Sequence, residues 1–269
     1  MLQIQLFGVP SFRIAGCQCR GQLGQAGQLL ASFLFCFPGR VFRLDYLRDL
    51  FWGEMDESRA RAAMNTALWR LRKLLAQQGK TESNHIPLVQ RSEIVLNLTD
   101  ELSTDARAFE QAAQGALSAA VAPMQEIFQL CSCVESYSGP LLDGETSGWA
   151  VAERERLHGL YIRILSLLAN HYTRVGQFEE AIAVANKILR ADPLREATHR
   201  DLIVLFALNE QRASAIRQFE RLRALLREEL GVAPVRETAS LVDALRSDAF
   251  REHFVKLQEN CFGPSTILA

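Results

Sequence analysis

Hydrophobic and polar positions change period several times along the chain. In "LQIQLF" (residues 2–7) apolar and polar residues alternate, and Gly8 and Pro10 interrupt the run before "SFRIAG", a pattern that predicts two short antiparallel strands. "QAGQLLASFLFCF" (25–37) follows as a buried helix, stopped by Pro38 and Gly39. "RLDYLRDLFW" (43–52) reads as a second, amphipathic helix closed by Gly53. The acidic loop "GEMDES" then opens into "RARAAMNTALWRLRKLL" (59–75), a third helix expected over about 58–78, with Asp56 or Ser58 accepting from its exposed first-turn amides. "IPLVQ" and "IVLNL", joined by "RSE", predict a hairpin. From residue 104 onward Gly and Pro thin out and the spacing turns helical, in "TDARAFEQAAQGAL", "MQEIFQLCSCVESY" and a long stretch from Trp149.

Strands, three helices and a terminal hairpin are the elements of a winged helix-turn-helix. Behind them, Leu168, Ala169, Tyr172, Gly176, Phe178, Ala181, Ala185 and Pro193 follow tetratricopeptide spacing, in which small residues let two antiparallel helices approach. Thirty-four residues on, Ile203, Phe206, Ala215 and Phe219 echo it, but Glu210 stands where Gly176 stood, so the second repeat reads as degenerate. The expected fold class is an α+β winged helix-turn-helix followed by an all-α tetratricopeptide-like domain, mostly α overall. The expected domains are 1–99, 104–247 and a tail at 248–269.

The third helix divides by face. Met64, Ala67, Leu68, Leu71, Leu74 and Leu75 gather on one stripe at i, i+3, i+4 and i+7, the side that packs on a core. Opposite them lie Arg59, Ala62, Asn65, Thr66, Trp69, Arg70 and Lys73, with Arg61 and Arg72 on a flank. An ordinary solvated face mixes charge signs, because like charges at i, i+4 repel. Residues 59–75 hold five cations and no acid, and place Trp69 among them. Arginine binds guanine bidentately, asparagine does so with adenine, and small apolar groups meet the thymine methyl, so this face carries the inventory for a major groove.

Charge sharpens the picture. The net charge is only −1, yet residues 1–98 carry 12 Lys and Arg against 7 Asp and Glu, while the remainder is acidic. Such asymmetry points to a nucleic-acid-binding half joined to something else. The longest apolar run, "LLASFLFCF", is far shorter than a membrane span, and no basic leader precedes the first apolar residues, so the chain is expected in the cytoplasm and off the membrane. Cys17 with Cys19 and Cys131 with Cys133 are spaced more tightly than C-x₂₋₄-C zinc ligands and lack a nearby histidine, so all six cysteines read as free thiols and no metal is expected. No phosphate loop, nucleophile elbow or HExxH motif occurs, and "ERERL" (153–157) reads as helix-surface charge pairing; neither catalysis nor a cofactor is expected.

"LLASFLFCFPGRVFRLDYLRDLFW", "NTALWRLRKLL" and the hairpin, in that order, resemble the OmpR-type winged-helix domain at the head of actinomycete antibiotic-regulatory activators. "YSGPLLDGETSGWAVAERERL" and "LREELGVAPVRET" resemble the tetratricopeptide-like bacterial transcriptional activation domain found behind it. Together the two resemblances cover about residues 1–247. The first implies that Arg70 reads bases, that Arg72 holds phosphate, and that Arg91, in the wing turn, enters the minor groove. Here "SEIVL" replaces the Gly-Tyr usual in that hairpin. It also implies that the acidic loop, with Glu54, Asp56 and Glu57, touches RNA polymerase.

The expected function is a sequence-specific activator on double-stranded DNA. Arg70, Asn65, Thr66 and Trp69 would lie nearest the bases, with Arg59, Arg72 and Lys73 on phosphates, contacts that fix register without reading sequence. RNA polymerase and a second copy of the chain are the expected protein partners. The alternatives are an adaptor whose winged helix no longer binds DNA, and a repressor.

Overall fold

The computed structural model describes residues 2–14, 17–18, 23–76, 88–90, 92–96, 104–118 and 123–247, and these form two compact units. One comprises Met1–Ser118 and Glu135–Gly159, the other Ala119–Val134 and Leu160–Ala269.

In the first unit, β1 (Leu2–Gln5), β2 (Ser11–Ile14) and β3 (Cys17–Gln18) form an antiparallel sheet in that order, with Gly8 turning at φ 73° between the first two strands. Helix α1 (Gln25–Cys36) buries Leu30, Phe33, Leu34 and Phe35. Strand β4 (Val41–Arg43) runs into α2 (Leu44–Trp52), followed by α3 (Glu57–Ala76). A second sheet, ordered β4-β6-β5, takes in β5 (Leu88–Gln90) and β6 (Glu93–Val95). Its hairpin register pairs Gln90 with Glu93, so the turn holds two residues, and Ser92 stands in it at φ 75°. The Ser92 carbonyl accepts from the Leu44 amide at 2.8 Å, which ties the hairpin to the start of α2. Strands β3 and β4 had no counterpart in the sequence reading.

Two attachments explain why later segments cluster with these N-terminal elements. Asp105, the first residue of α4 (Asp105–Ser118), accepts from the amides of Leu6 at 2.7 Å and Phe7 at 3.1 Å. Residues 140–143 add backbone bonds to the same stretch, from Gly8 N–H to the Pro140 carbonyl and from Leu142 N–H to the Leu6 carbonyl, each 2.8 Å. Phe7 is thereby enclosed, with the rings of Phe109 and Tyr137 at 5.7 and 4.8 Å.

Helices α5 (Pro123–Ser136) and α6 (Gly148–Arg174) each contribute to both units. The second unit continues with α7 (Phe178–Ala191), α8 (Glu196–Leu208), α9 (Arg212–Glu229) and α10 (Arg236–Arg246). Ala181, Ile182 and Ala185 pack on Leu202 and Leu205, and Ile203, Ala207, Ala215 and Phe219 pack with Leu241 and Val242.

The repeat is more regular than its sequence. Gly176 N–H bonds the Thr173 carbonyl and Gln177 N–H the Tyr172 carbonyl; 34 residues later Glu210 N–H bonds Ala207 and Gln211 N–H bonds Phe206. Gly176 turns at φ 75° and Glu210 at φ 57°. The expectation of a degenerate second repeat is therefore corrected: Glu210 adopts the left-handed conformation that glycine usually supplies, and the turn is preserved.

"ERERL" also needs correction in one half. Arg156 does pair on the helix surface, with Glu153, and reaches Glu110 as well, each at 2.6 Å. Arg154 instead donates to the carbonyls of Leu141, Leu142 and Glu145 at 2.5–2.8 Å and fastens that loop.

Candidate nucleic-acid interface

Helix α3 begins where Asp56 caps it. The Asp56 carboxylate accepts from the Arg59 amide at 3.0 Å and the Ser58 hydroxyl at 2.7 Å, and its carbonyl accepts from the Ala60 amide. These bonds stabilise the ionised form and hold the Asp56 carboxyl below its ordinary range. Of the two capping residues expected, Asp56 supplies the cap.

The inward stripe is the expected one, with Ala60 added: Met64, Ala67, Leu68, Leu71, Leu74 and Leu75 are all buried. Each large side chain on it contributes roughly 1.5–3 kcal/mol to anchoring the helix. Outward, Arg59, Ala62, Asn65, Thr66, Trp69, Arg70 and Lys73 are all exposed, while Arg72 is half-buried. Trp69 is 59% exposed, an unusual position for an indole unless a partner covers it. The Lys73 ammonium sits 5.2 Å from the centre of its ring. The Thr66 hydroxyl donates to the Ala62 carbonyl at 2.9 Å, one turn back.

Charge along α3 is less uniform than the sequence window implied. Arg59 pairs with Asp56 at 3.1 Å and Arg61 with Glu57 at 3.0 Å, so acids just before the window neutralise its first two cations. Among the described residues, Arg70, Arg72 and Lys73 have no carboxylate at ion-pair distance. The unneutralised positive charge therefore lies in the second half of the helix. The i, i+3 and i, i+4 spacings of these pairs were readable in "DESRAR".

Arg70 extends toward the start of α1. A Cβ on Gly24 would stand 3.3 Å from Arg70 Nη1, which an exposed arginine can yield; it is the backbone, at φ 71°, that favours glycine there. Sequence reasoning did not single out Gly24. In the acidic loop, Asp56 and Glu57 are engaged as described and Glu54 is exposed. Arg91 lies outside the described residues. Among those described, no group of three or more His, Cys, Asp or Glu could hold a metal ion. Cys131 contacts the Tyr172 hydroxyl at 3.6 Å, and burial lifts the Cys133 thiol to about 11, which keeps it protonated near neutral pH.

The sequence profile of the bacterial transcriptional activator domain matches residues 104–246, more than half of the chain. The chain belongs to that family. Among its relatives, the regulatory protein AfsR of Streptomyces griseus is 30% identical over 222 residues, 81% of this chain and 22% of AfsR. The transcriptional regulatory protein MoaR1 of Mycobacterium bovis is 27% identical over 206 residues, 76% of this chain and 66% of MoaR1. This family member thus spans about a fifth of the first relative's length and about two thirds of the second's. In fold it is similar to Mycobacterium tuberculosis EmbR, solved in complex with a low affinity phosphopeptide, with a TM-score of 0.74 at 20% identity over 95% of this chain and 68% of that one. Among the described residues, no helix is long and apolar enough to cross a membrane.

Proposed function

We propose that the chain is a sequence-specific transcriptional activator whose N-terminal elements act as a winged helix on double-stranded DNA. The observation that carries this reading is the outward face of α3, where Asn65, Thr66, Trp69, Arg70 and Lys73 stand exposed on a helix whose opposite side is anchored. In this reading α3 enters a major groove, and Arg70, Asn65, Thr66 and Trp69 meet base edges. Arg72 and Lys73 hold phosphates; Arg59 does so by sharing or leaving Asp56, and Arg91 extends into the minor groove. The acidic loop, through Glu54 with Asp56 and Glu57, meets RNA polymerase in the cytoplasm. The activator assignment follows the family and the regulators to which the chain is similar.

Selection of bound fragments from a genomic library at low salt, followed by titration on the best site, tests the proposal. Affinity should fall steeply as salt rises, and Lys73→Ala should flatten the log–log slope by about one unit. Arg70→Ala should cost about 1–3 kcal/mol on the best site and relax preference at one base position. An equal loss on every sequence would move Arg70 to the phosphate contacts. Failure to retain any fragment at low salt would overturn DNA binding and favour the adaptor.

A further inference from the structure

Helix α7 carries a second cationic surface that the DNA reading does not use. Ala183, Asn186, Lys187 and Arg190 recur at i, i+3, i+4 and i+7, so they share one stripe of that helix. Arg221 and Leu225, one turn apart on α9, complete the wall of a cavity of about 660 Å³ within the second unit. Lys187, Arg190 and Arg221 are exposed, no carboxylate lines the cavity, and none of the three has one at ion-pair distance among the described residues. Glu196, the acid whose field reaches His199, is not among the lining residues, and its carboxylate accepts from the Val235 amide at 2.8 Å.

The rest of the lining is apolar or already satisfied. Leu189 and Leu225 supply hydrocarbon. His199 is buried, with Nε2–H donating to the Pro193 carbonyl at 2.9 Å and Nδ1 accepting from the Gln218 amide at 2.7 Å, so the imidazole is a fixed, neutral part of the wall. Three cations beside a hydrocarbon surface fit one ligand chemistry, an apolar body with an anionic head. The volume falls in the range of about 300–1,000 Å³ that small-molecule sites occupy.

We propose that this cavity binds a small organic anion, its apolar body against Leu189 and Leu225 and its anionic group between Lys187, Arg190 and Arg221. The site gives the chain a chemical input separate from α3, and the inference stands whether or not the chain binds DNA.

The test uses the full chain and the fluorescent probe 8-anilinonaphthalene-1-sulfonate, with uncharged N-phenyl-1-naphthylamine as its control. The sulfonate should bind saturably and weaken as salt is raised. Because their charged groups are exposed and meet no carboxylate among the described residues, Lys187→Gln with Arg221→Gln should leave the circular dichroism spectrum unchanged while lowering sulfonate affinity at least about tenfold. The uncharged probe should respond equally to both proteins. Leu225→Trp, which fills the cavity and keeps the cations, should also remove sulfonate binding. No saturable binding by the native chain, or undiminished binding by both variants, would overturn the site; the latter would mean that the probe sits elsewhere, as in the aromatic cavity beside Trp149.

Discussion

Replacing Arg154 with alanine is expected to destabilise the first unit by about 3–5 kcal/mol, because one guanidinium serves three carbonyls, of which only that of Leu142 also accepts from a backbone amide, Glu145 N–H at 3.0 Å, among the described residues. Its Nε donates to the Leu141 carbonyl at 2.6 Å, and its Nη2 to those of Leu142 and Glu145 at 2.5 and 2.8 Å. Leu141 and Leu142 are fully buried, so water cannot replace the lost donors without opening the loop. Leu142 also sits at φ 49°, a strained backbone that persists only while neighbouring bonds dictate it. A charged bond to a carbonyl contributes roughly 1.5–3 kcal/mol, and three that share one side chain add less than threefold. Urea unfolding should show a lower midpoint at unchanged slope. Arg154→Lys should recover only part of the loss, since one ammonium cannot reproduce the planar fork. A loss below about 1 kcal/mol would mean that the loop is held by its pairing with residues 6–8 alone.

Asp105→Ala comes next in size. The carboxylate serves the amides of Leu6, Phe7 and Ala106, and burial outweighs those bonds, holding the carboxyl above its ordinary range. The carboxyl is thus held there at some desolvation cost because the amides of two fully buried residues need an acceptor. Deleting it should cost about 2–4 kcal/mol, from roughly 1–3 for each amide left unpaired. Asp105→Asn keeps one acceptor oxygen and should recover part of the loss. Hydrogen exchange should show the Leu6 and Phe7 amides losing protection first in the alanine variant. If both stay protected, the connection between β1 and α4 rests on hydrophobic packing around Phe7.

These two residues mark where the sequence stopped being readable. Helix α3 was legible because 20 residues of strict helical spacing fix which side is buried, and Leu71 and Trp69 follow from that count alone. Strand β4 was not, since three residues carry no period and their partner, β6, lies some fifty positions away. Nothing periodic announces that residues 140–143 will bond to residues 6–8. Arg154 was hidden differently. Alternating charges two apart on a helix point to nearly opposite sides, so Arg154 and Arg156 could not share one surface role, and only the fold shows which of them turns inward. At α3, charge counting that began at Arg59 missed Asp56 and Glu57, which pair with its first two cations. That shifts the weight of the DNA proposal toward Arg70, Arg72 and Lys73.

Glu210 has a wider consequence. Its turn keeps the same backbone bonds as the turn at Gly176, although the glycine that advertises such a turn is gone. In these helix pairs the repeat is therefore carried by the offsets of amides and carbonyls where the residue types no longer match. A count of repeats by their glycines would miss a turn that the backbone forms in full.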